Sequence, residues 1–156
     1  VKNILQVMGA MDFGGAETFT MNIFRNIDRN KYKFIFLCYL RTDKRYDYED
    51  EIEKLGGKII RIKDNRKRHP FEFIEEIGRV IDEERISVVH AQVDMSNAYA
   101  MIAAKRHDVP VRIAHSHNTK FGNGGLVNSI FNSWAKRAIN RDATIRLAPE
   151  EESGRA

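Results

Sequence analysis

Apolar residues along this chain gather into short solid runs, separated by longer segments with helical spacing. "NILQVMG" (3–9), "KFIFLCYL" (33–40), "KIIRI" (58–62), "ISVVH" (86–90), "VRIAHSH" (111–117) and "ATIRLAP" (143–149) read as strands. Between them, residues 16–27 place Phe19, Ile23, Phe24 and Ile27 at helical intervals. Residues 48–57 form a short helix closed by Gly56 and Gly57, a common C-terminal stop. Pro70 opens a helix over 71–84, with Phe71, Ile74, Ile77, Val80 and Ile81 on one face. Residues 96–107 are a helix of small residues suited to close packing on a sheet, 126–139 are another helix, and "EEESGRA" reads as the start of a further one.

Strand and helix alternate throughout. Strands that are solidly apolar, not alternating, are those buried on both faces, which is the signature of a parallel sheet covered by helices on each side. Short connections and right-handed crossovers then predict an α/β, doubly wound, Rossmann-like parallel sheet of about six strands in the order 3-2-1-4-5-6. There is no internal repeat, no low-complexity segment and no linker between two domains, so residues 1–156 are expected to form one domain.

Composition narrows the class. The chain is 42% hydrophobic and 31% charged, ordinary for a soluble globular protein. No apolar stretch approaches the ~20 residues that span a bilayer, and the short apolar start lacks the form of a signal peptide. The lone cysteine, Cys38, supports neither a disulfide framework nor a cysteine-based zinc site. A reducing, cytoplasmic setting is the expectation. The net charge of +4 suits anionic partners but is too mild to require nucleic acid.

In a sheet of this order, ligands sit beyond the carboxyl ends of the strands where strand order reverses, here between the first and fourth strands. Gly14 and Gly15 fall there, just before a helix. Lacking Cβ atoms, they are free to take positive φ and to let a ligand approach the backbone, and the following helix start favours an anion. The alternative is a plain turn into a helix. The glycines do not make G-x-G-x-x-G, no acidic residue ends the second strand, and a Walker A lysine is missing, so nicotinamide and P-loop roles are disfavoured.

"HAQVD" (90–94) and "HSHNT" (115–119) converge on the same crevice. Strand alternation points His115 and His117 the same way, with Ser116 opposite. Each such histidine either meets a sugar hydroxyl, acts as a base or satisfies a backbone group. The functional reading is favoured for His117, which precedes a loop. It is evenly balanced for His115 and His90. His69 and His107 read as solvated. No metal is expected, because Asp94 is the only nearby acid. The basic run "KDNRKRH" (63–69), with Arg66, Lys67 and Arg68, lies on the same carboxyl side. It is either a solvated face or a contact for anionic headgroups or a phosphorylated acceptor. "GNGG" (122–125) reads as a mobile loop at the rim.

"DFGGAETFTMNIFRNID", "VVHAQVDMSNAYAMIAAKRHDVPVRIAHSHNT" and "ATIRLAPEEESGRA" together resemble the N-terminal domain of a retaining glycosyltransferase of family 4, with bacterial capsular and exopolysaccharide enzymes the nearest in flavour. The resemblance implies the GT-B fold, in which two Rossmann-like domains face across a cleft. It implies that residues 1–156 are the acceptor side and that the donor-binding C-terminal domain lies outside this chain. It further implies that Gly14 and Gly15 approach the donor diphosphate, with Glu17 as the loop's acidic member. By the same carry-over His117 lies near the reacting sugar, His115 is its close alternative, and His90 lines the acceptor pocket. Asn118 and Thr119 are expected beside the substrate. The donor is a nucleotide-diphosphate sugar, acting as substrate with no separate cofactor, and the acceptor is a saccharide or lipid-linked saccharide. The setting is cytoplasmic, with a peripheral contact at the inner membrane face open to the basic run. Two rivals stay in view: a nucleotide-sugar 2-epimerase on the same architecture, and a non-catalytic module that binds a glycan or a partner.

Overall fold

The computed structural model describes residues 1–117 and 124–148. Six strands form one parallel sheet: β1 (Lys2–Met8), β2 (Tyr32–Cys38), β3 (Lys58–Arg61), β4 (Ile86–Ala91), β5 (Val111–His115) and β6 (Ile145–Leu147). Their order is β3-β2-β1-β4-β5-β6, as the alternation predicts. The helices are α1 (Gly15–Asn26), α2 (Glu49–Lys54), α3 (Pro70–Glu83), α4 (Asn97–Arg106) and α5 (Leu126–Asp142). Asn118, Thr119, the first half of the 122–125 loop and residues 149–156 lie outside the described residues, and so do the expectations placed on them.

Both faces of the sheet are buried at its centre, which is why β1, β2 and β4 are solidly apolar, whereas β6 at the edge is exposed. Leu5, Val7, Ile35, Leu37, Val89 and Ala91 join Phe73, Ile77 and Val80 of α3 and Ala98, Ala100 and Ala103 of α4 in one core. Met8, Phe34, Phe36 and Cys38 join Met21, Phe24 of α1 and Ile52 of α2 in the other. Phe24 stacks on Phe34 at 5.3 Å and meets Phe36 edge-on at 5.3 Å. Each such ring stabilises the fold by roughly 1.5–3 kcal/mol through burial alone. The alanines of α4, fully enclosed, let that helix lie close to β4 and β5.

Gly56 closes α2 at φ +82°, a conformation that favours glycine. At Gly57 a Cβ would press on Ile52 Cγ2 at 2.7 Å and Phe24 Cζ at 2.9 Å, so the second glycine serves packing.

Two helix faces differ from the sequence expectation. On α1 the buried residues are Thr20, Met21 and Phe24, while Phe19 and Ile23 are 41% and 38% exposed. The helix is rotated because polar Thr20 is drawn inward by a buried hydrogen-bond partner described below. On α3, Phe71 is 70% exposed and the core face runs through Phe73, Ile74, Ile77, Val80 and Ile81. His107 is not simply solvated: it pairs with Asp82 at 2.9 Å and occupies the space above Gly78 that a Cβ would need. His69, at the start of α3, is exposed as expected.

Candidate functional site

The strand order reverses between β1 and β4, and the groups singled out in the sequence meet at the carboxyl ends of these two strands and β5. The loop after β1 leads to α1 through Gly14, which is extended at φ −169°. Neither Gly14 nor Gly15 uses positive φ; among the described glycines only Gly56 does. At Gly14 a Cβ would displace only the flexible end of Glu17, whose carboxylate folds back over it, and at Gly15 a Cβ would meet nothing within 4 Å among the described residues, so packing forces glycine at neither position. Gly14, having no side chain, gives the start of α1 no cap of its own, so the first-turn N–H groups are not satisfied from the N-cap position.

The loop itself is held from the side. Asp12 accepts the Asp47 backbone N–H at 3.0 Å and pairs with Arg41, while Asp47 accepts the Phe13 backbone N–H at 3.0 Å. This reciprocal clasp between the β1–α1 and β2–α2 loops fixes the approach to α1. Nothing in the periodicity pointed to it, because it depends on two loops meeting across 35 residues.

The three histidines do come together. His90, on β4, and His115, at the end of β5, are 7% and 8% exposed. Their rings lie 12° from parallel with centroids 5.3 Å apart. His117 stacks on His115 at 4.2 Å. It lies two residues past the end of β5, so the strand stops earlier than expected, yet the two rings share a face. Phe19 of α1 stands edge-on to both, at 5.2 Å from His115 and 6.0 Å from His117. Its exposure on α1 thus has a purpose at the site: it is the wall of the histidine stack on the helix side. His117 is half-buried and forms the outer end of the stack.

Burial governs the charge of this stack. His90 is held at about 4, below the ordinary imidazole value, by desolvation and then by its histidine neighbours. His115 is likewise held at about 4 by desolvation and by His117, against an opposing pull from Asp94. His117 is lowered by desolvation, with Asp94 and Glu17 working the other way. All three rings are therefore neutral near neutral pH.

Polar neighbours hold the stack in place. Asp94 accepts the His117 backbone N–H at 3.0 Å and the Ser116 hydroxyl at 3.2 Å. Asp94 sits at φ +52°, an unusual backbone for a residue other than glycine. Asn97 accepts from the Val93 backbone N–H at 2.7 Å and donates to the His115 carbonyl at 3.1 Å. Gln92 lies 2.8 Å from His117 Nε2. Asn97 and Gln92 were not singled out from the sequence, and Asp94 was noted there only as the nearby acid, although Gln92 and Asp94 lie within "HAQVD". Their signal was polar residues directly after a buried strand. Among the described residues, no group of three His, Cys, Asp or Glu side chains is placed to hold a metal ion.

The basic run divides. Arg66 is drawn inward: it donates to Asp64, to Ser96 Oγ at 2.7 Å, and lies 4.5 Å over the Tyr39 ring. Lys67 and Arg68 are exposed and, with Lys63, Asp64, Asn65 and His69, line an open depression of about 460 Å³. No helix among the described residues is long and apolar enough to cross a membrane.

Residues 14–156 match the family model described as a glycosyl transferase 4-like domain. The chain is 35% identical over 160 residues to EpsF of Bacillus subtilis (strain 168), named as a glycosyltransferase, covering 99% of this chain and 40% of EpsF. It is 26% identical over 117 residues to the capsular polysaccharide biosynthesis glycosyltransferase CapH of Staphylococcus aureus, covering 75% of this chain and 31% of CapH. The chain thus spans well under half the length of these relatives. Among solved structures, Anabaena HepE in complex with UDP and glucose superposes with a TM-score of 0.67 at 14% identity, covering 96% of this chain and 39% of HepE. Acinetobacter baumannii MurG superposes at 0.63 and 12% identity, covering 95% of this chain and 41% of MurG. These neighbours share the Rossmann-like fold of GT-B glycosyltransferases. With the family model covering most of its length, the chain belongs to the glycosyl transferase 4-like domain family.

Proposed function

We propose that this chain is the acceptor-side domain of a nucleotide-sugar-dependent, retaining glycosyltransferase of surface polysaccharide synthesis. The full enzyme moves a hexosyl group from a nucleotide-diphosphate sugar onto a hydroxyl of a saccharide or lipid-linked saccharide. The donor-binding domain lies outside this chain, and the nucleotide sugar is a substrate with no separate cofactor. The names of EpsF and CapH support the reaction class, and the UDP and glucose in the HepE complex support the donor class.

One observation carries the reading. The start of α1, which Gly14 leaves without a cap of its own, and the outer histidine of the stack face one mouth of the sheet, joined by Phe19. As the glycosidic bond to the donor breaks, negative charge grows on the leaving diphosphate. The N–H groups and positive end of α1 are fixed dipoles aimed at such a charge, and Gly15 leaves room for it. At the sugar, positive character grows on the anomeric centre. A neutral imidazole such as His117 lies beside it as a polar group without a like charge. His115 and His90 stand behind His117 and hold its plane. Lys67 and Arg68 are the part of the basic run open to an anionic acceptor or membrane face.

The test is turnover of UDP- and GDP-sugars by the full-length protein with saccharide and lipid-linked acceptors, reading product configuration by NMR. Retained configuration, and loss of turnover in His117→Ala with an unchanged melting midpoint, is the expected result. An inverted product overturns the retaining assignment, and full turnover in His117→Ala overturns the role of that ring.

A further inference from the structure

Gln92 is 5% exposed at the end of β4, and every polar atom of its amide is engaged. Its Nε2 donates to Thr20 Oγ1 at 2.7 Å and to Gln6 Oε1 at 3.1 Å. Its Oε1 lies 2.8 Å from His117 Nε2. The direction of this chain is set at its far end. Thr20 Oγ1 lies 2.9 Å from the Ala16 carbonyl, which accepts and never donates. The single hydroxyl proton of Thr20 is therefore committed to Ala16. Towards Gln92 the hydroxyl oxygen accepts only, so the group facing it is the amide nitrogen. The amide oxygen then faces His117, and His117 Nε2 must carry the proton.

From this geometry we infer that Gln92 is a positioning residue, locked by Thr20, that holds neutral His117 in its Nε2–H tautomer with the lone pair on Nδ1. The inference rests on the proposed glycosyl transfer for its functional meaning, though not for its geometry. A neutral ring with its lone pair on Nδ1 offers a substrate an acceptor. The chemistry it recognises is a hydroxyl that donates, as on a sugar ring, and not a phosphate or carboxylate oxygen. Thr20 is a polar residue on the buried face of α1, and its hydroxyl serves both the Ala16 carbonyl and the Gln92 amide.

The experiment is long-range proton–nitrogen NMR of histidine-labelled full-length protein, paired with steady-state kinetics. Wild type is expected to show a pyrrole-like Nε2 and a pyridine-like Nδ1 at His117. In Gln92→Met, which leaves at most a weak thioether acceptor in place of the amide oxygen, the ring is expected to become a mixture of tautomers. kcat should then fall about tenfold or more with little change in KM for the donor. Gln92→Glu keeps an acceptor. It should preserve the Nε2–H form while raising the His117 protonation midpoint by about one pH unit through the added charge. A wild-type ring protonated at Nδ1 overturns the inference, as does a pure Nε2–H ring in Gln92→Met. Should Gln92→Met not fold, the wild-type spectrum and an unmoved midpoint in Gln92→Glu still decide against it. If the tautomers behave as stated but His117→Ala keeps full turnover, the positioning stands and the reading of His117 in glycosyl transfer fails.

Discussion

His90 Nε2 lies 3.1 Å from His115 Nδ1, inside the protein, between the paired strands β4 and β5 next to the β1–β4 point where the sheet reverses its order. Only one of the two nitrogens carries the proton between them. The pair is stable as two neutral rings and has no room for a second positive charge.

That pair sets an acid sensitivity. Both rings are held at about 4, whereas unfolded histidine titrates near 6.5. Between those values the unfolded chain binds more protons than the folded one, so stability rises with pH. It is complete above about 6.5 and is lost as pH falls towards 4, by on the order of a few kcal/mol in total. Urea unfolding at pH 7, 5.5 and 4.5 checks this. His90→Phe should flatten that window while leaving the steeper loss below pH 4, where Glu49, Glu51 and Asp64, all held below the usual carboxylate range, take up protons. A wild-type midpoint that is level from pH 7 to 4.5 contradicts the prediction.

Gly15 and Gly14 should separate function from structure. Among the described residues nothing lies within 4 Å of a Cβ built at Gly15, so Gly15→Val is expected to keep its melting midpoint. It fills the space proposed for the diphosphate. Turnover by the full-length protein should fall more than tenfold, over ~1.4 kcal/mol of transition-state stabilisation. Gly14→Ala displaces only the far end of Glu17 and should melt nearly normally. Wild-type turnover in Gly15→Val would reduce the glycine pair to a turn.

The three basic residues of 66–68 should behave differently. Arg66→Ser removes a hydrogen bond to Ser96, an ion pair with Asp64 and a cation–π contact with Tyr39, at a cost of about 1–3 kcal/mol in stability. Lys67→Ser and Arg68→Ser should stay within about 0.5 kcal/mol of wild type. Pelleting with anionic vesicles at low salt should weaken in the Lys67/Arg68 double variant. Equal pelleting returns these two to an ordinary solvated face.

Cys38 should be inert in the folded protein. Burial pushes its thiol up to about 12, and thiolate is the reactive form. Iodoacetamide at pH 8 should label it only as fast as the chain unfolds. Rapid labelling under native conditions would show that β2 opens far more readily than its packing implies.

The sheet was readable because its cause is local and repeated. Apolar runs buried on both faces have one architecture available, and helical spacing fills the gaps. The histidine convergence was readable too, since the switch point follows from strand order. What escaped was the orientation of α1. Spacing favours Phe19 and Ile23 as core, but Thr20 turns inward because Gln92, 72 residues away, supplies a partner. The Asp12–Asp47 clasp and the role of Asp94 escaped for the same reason, as polar pairs between distant loops leave no period in a sequence. Arg66 looked equivalent to Lys67 and Arg68 because charge alone does not say which side chain finds an aromatic ring beneath it.

The hydrogen bond from Gln92 to Gln6 joins positions 86 residues apart. Closing so long a loop costs entropy before any contact compensates for it, and parallel pairing of this kind is slow to form. During synthesis the Gly14–Gly15 loop emerges long before the strand that completes its neighbourhood. The first half of the chain can form the Asp12–Asp47 clasp, but not the histidine side of the mouth, which β4 and β5 supply. Amide protons along β4 and the start of α1 should therefore gain protection together and late in refolding, as one cooperative unit, whatever the rest of the sheet does first.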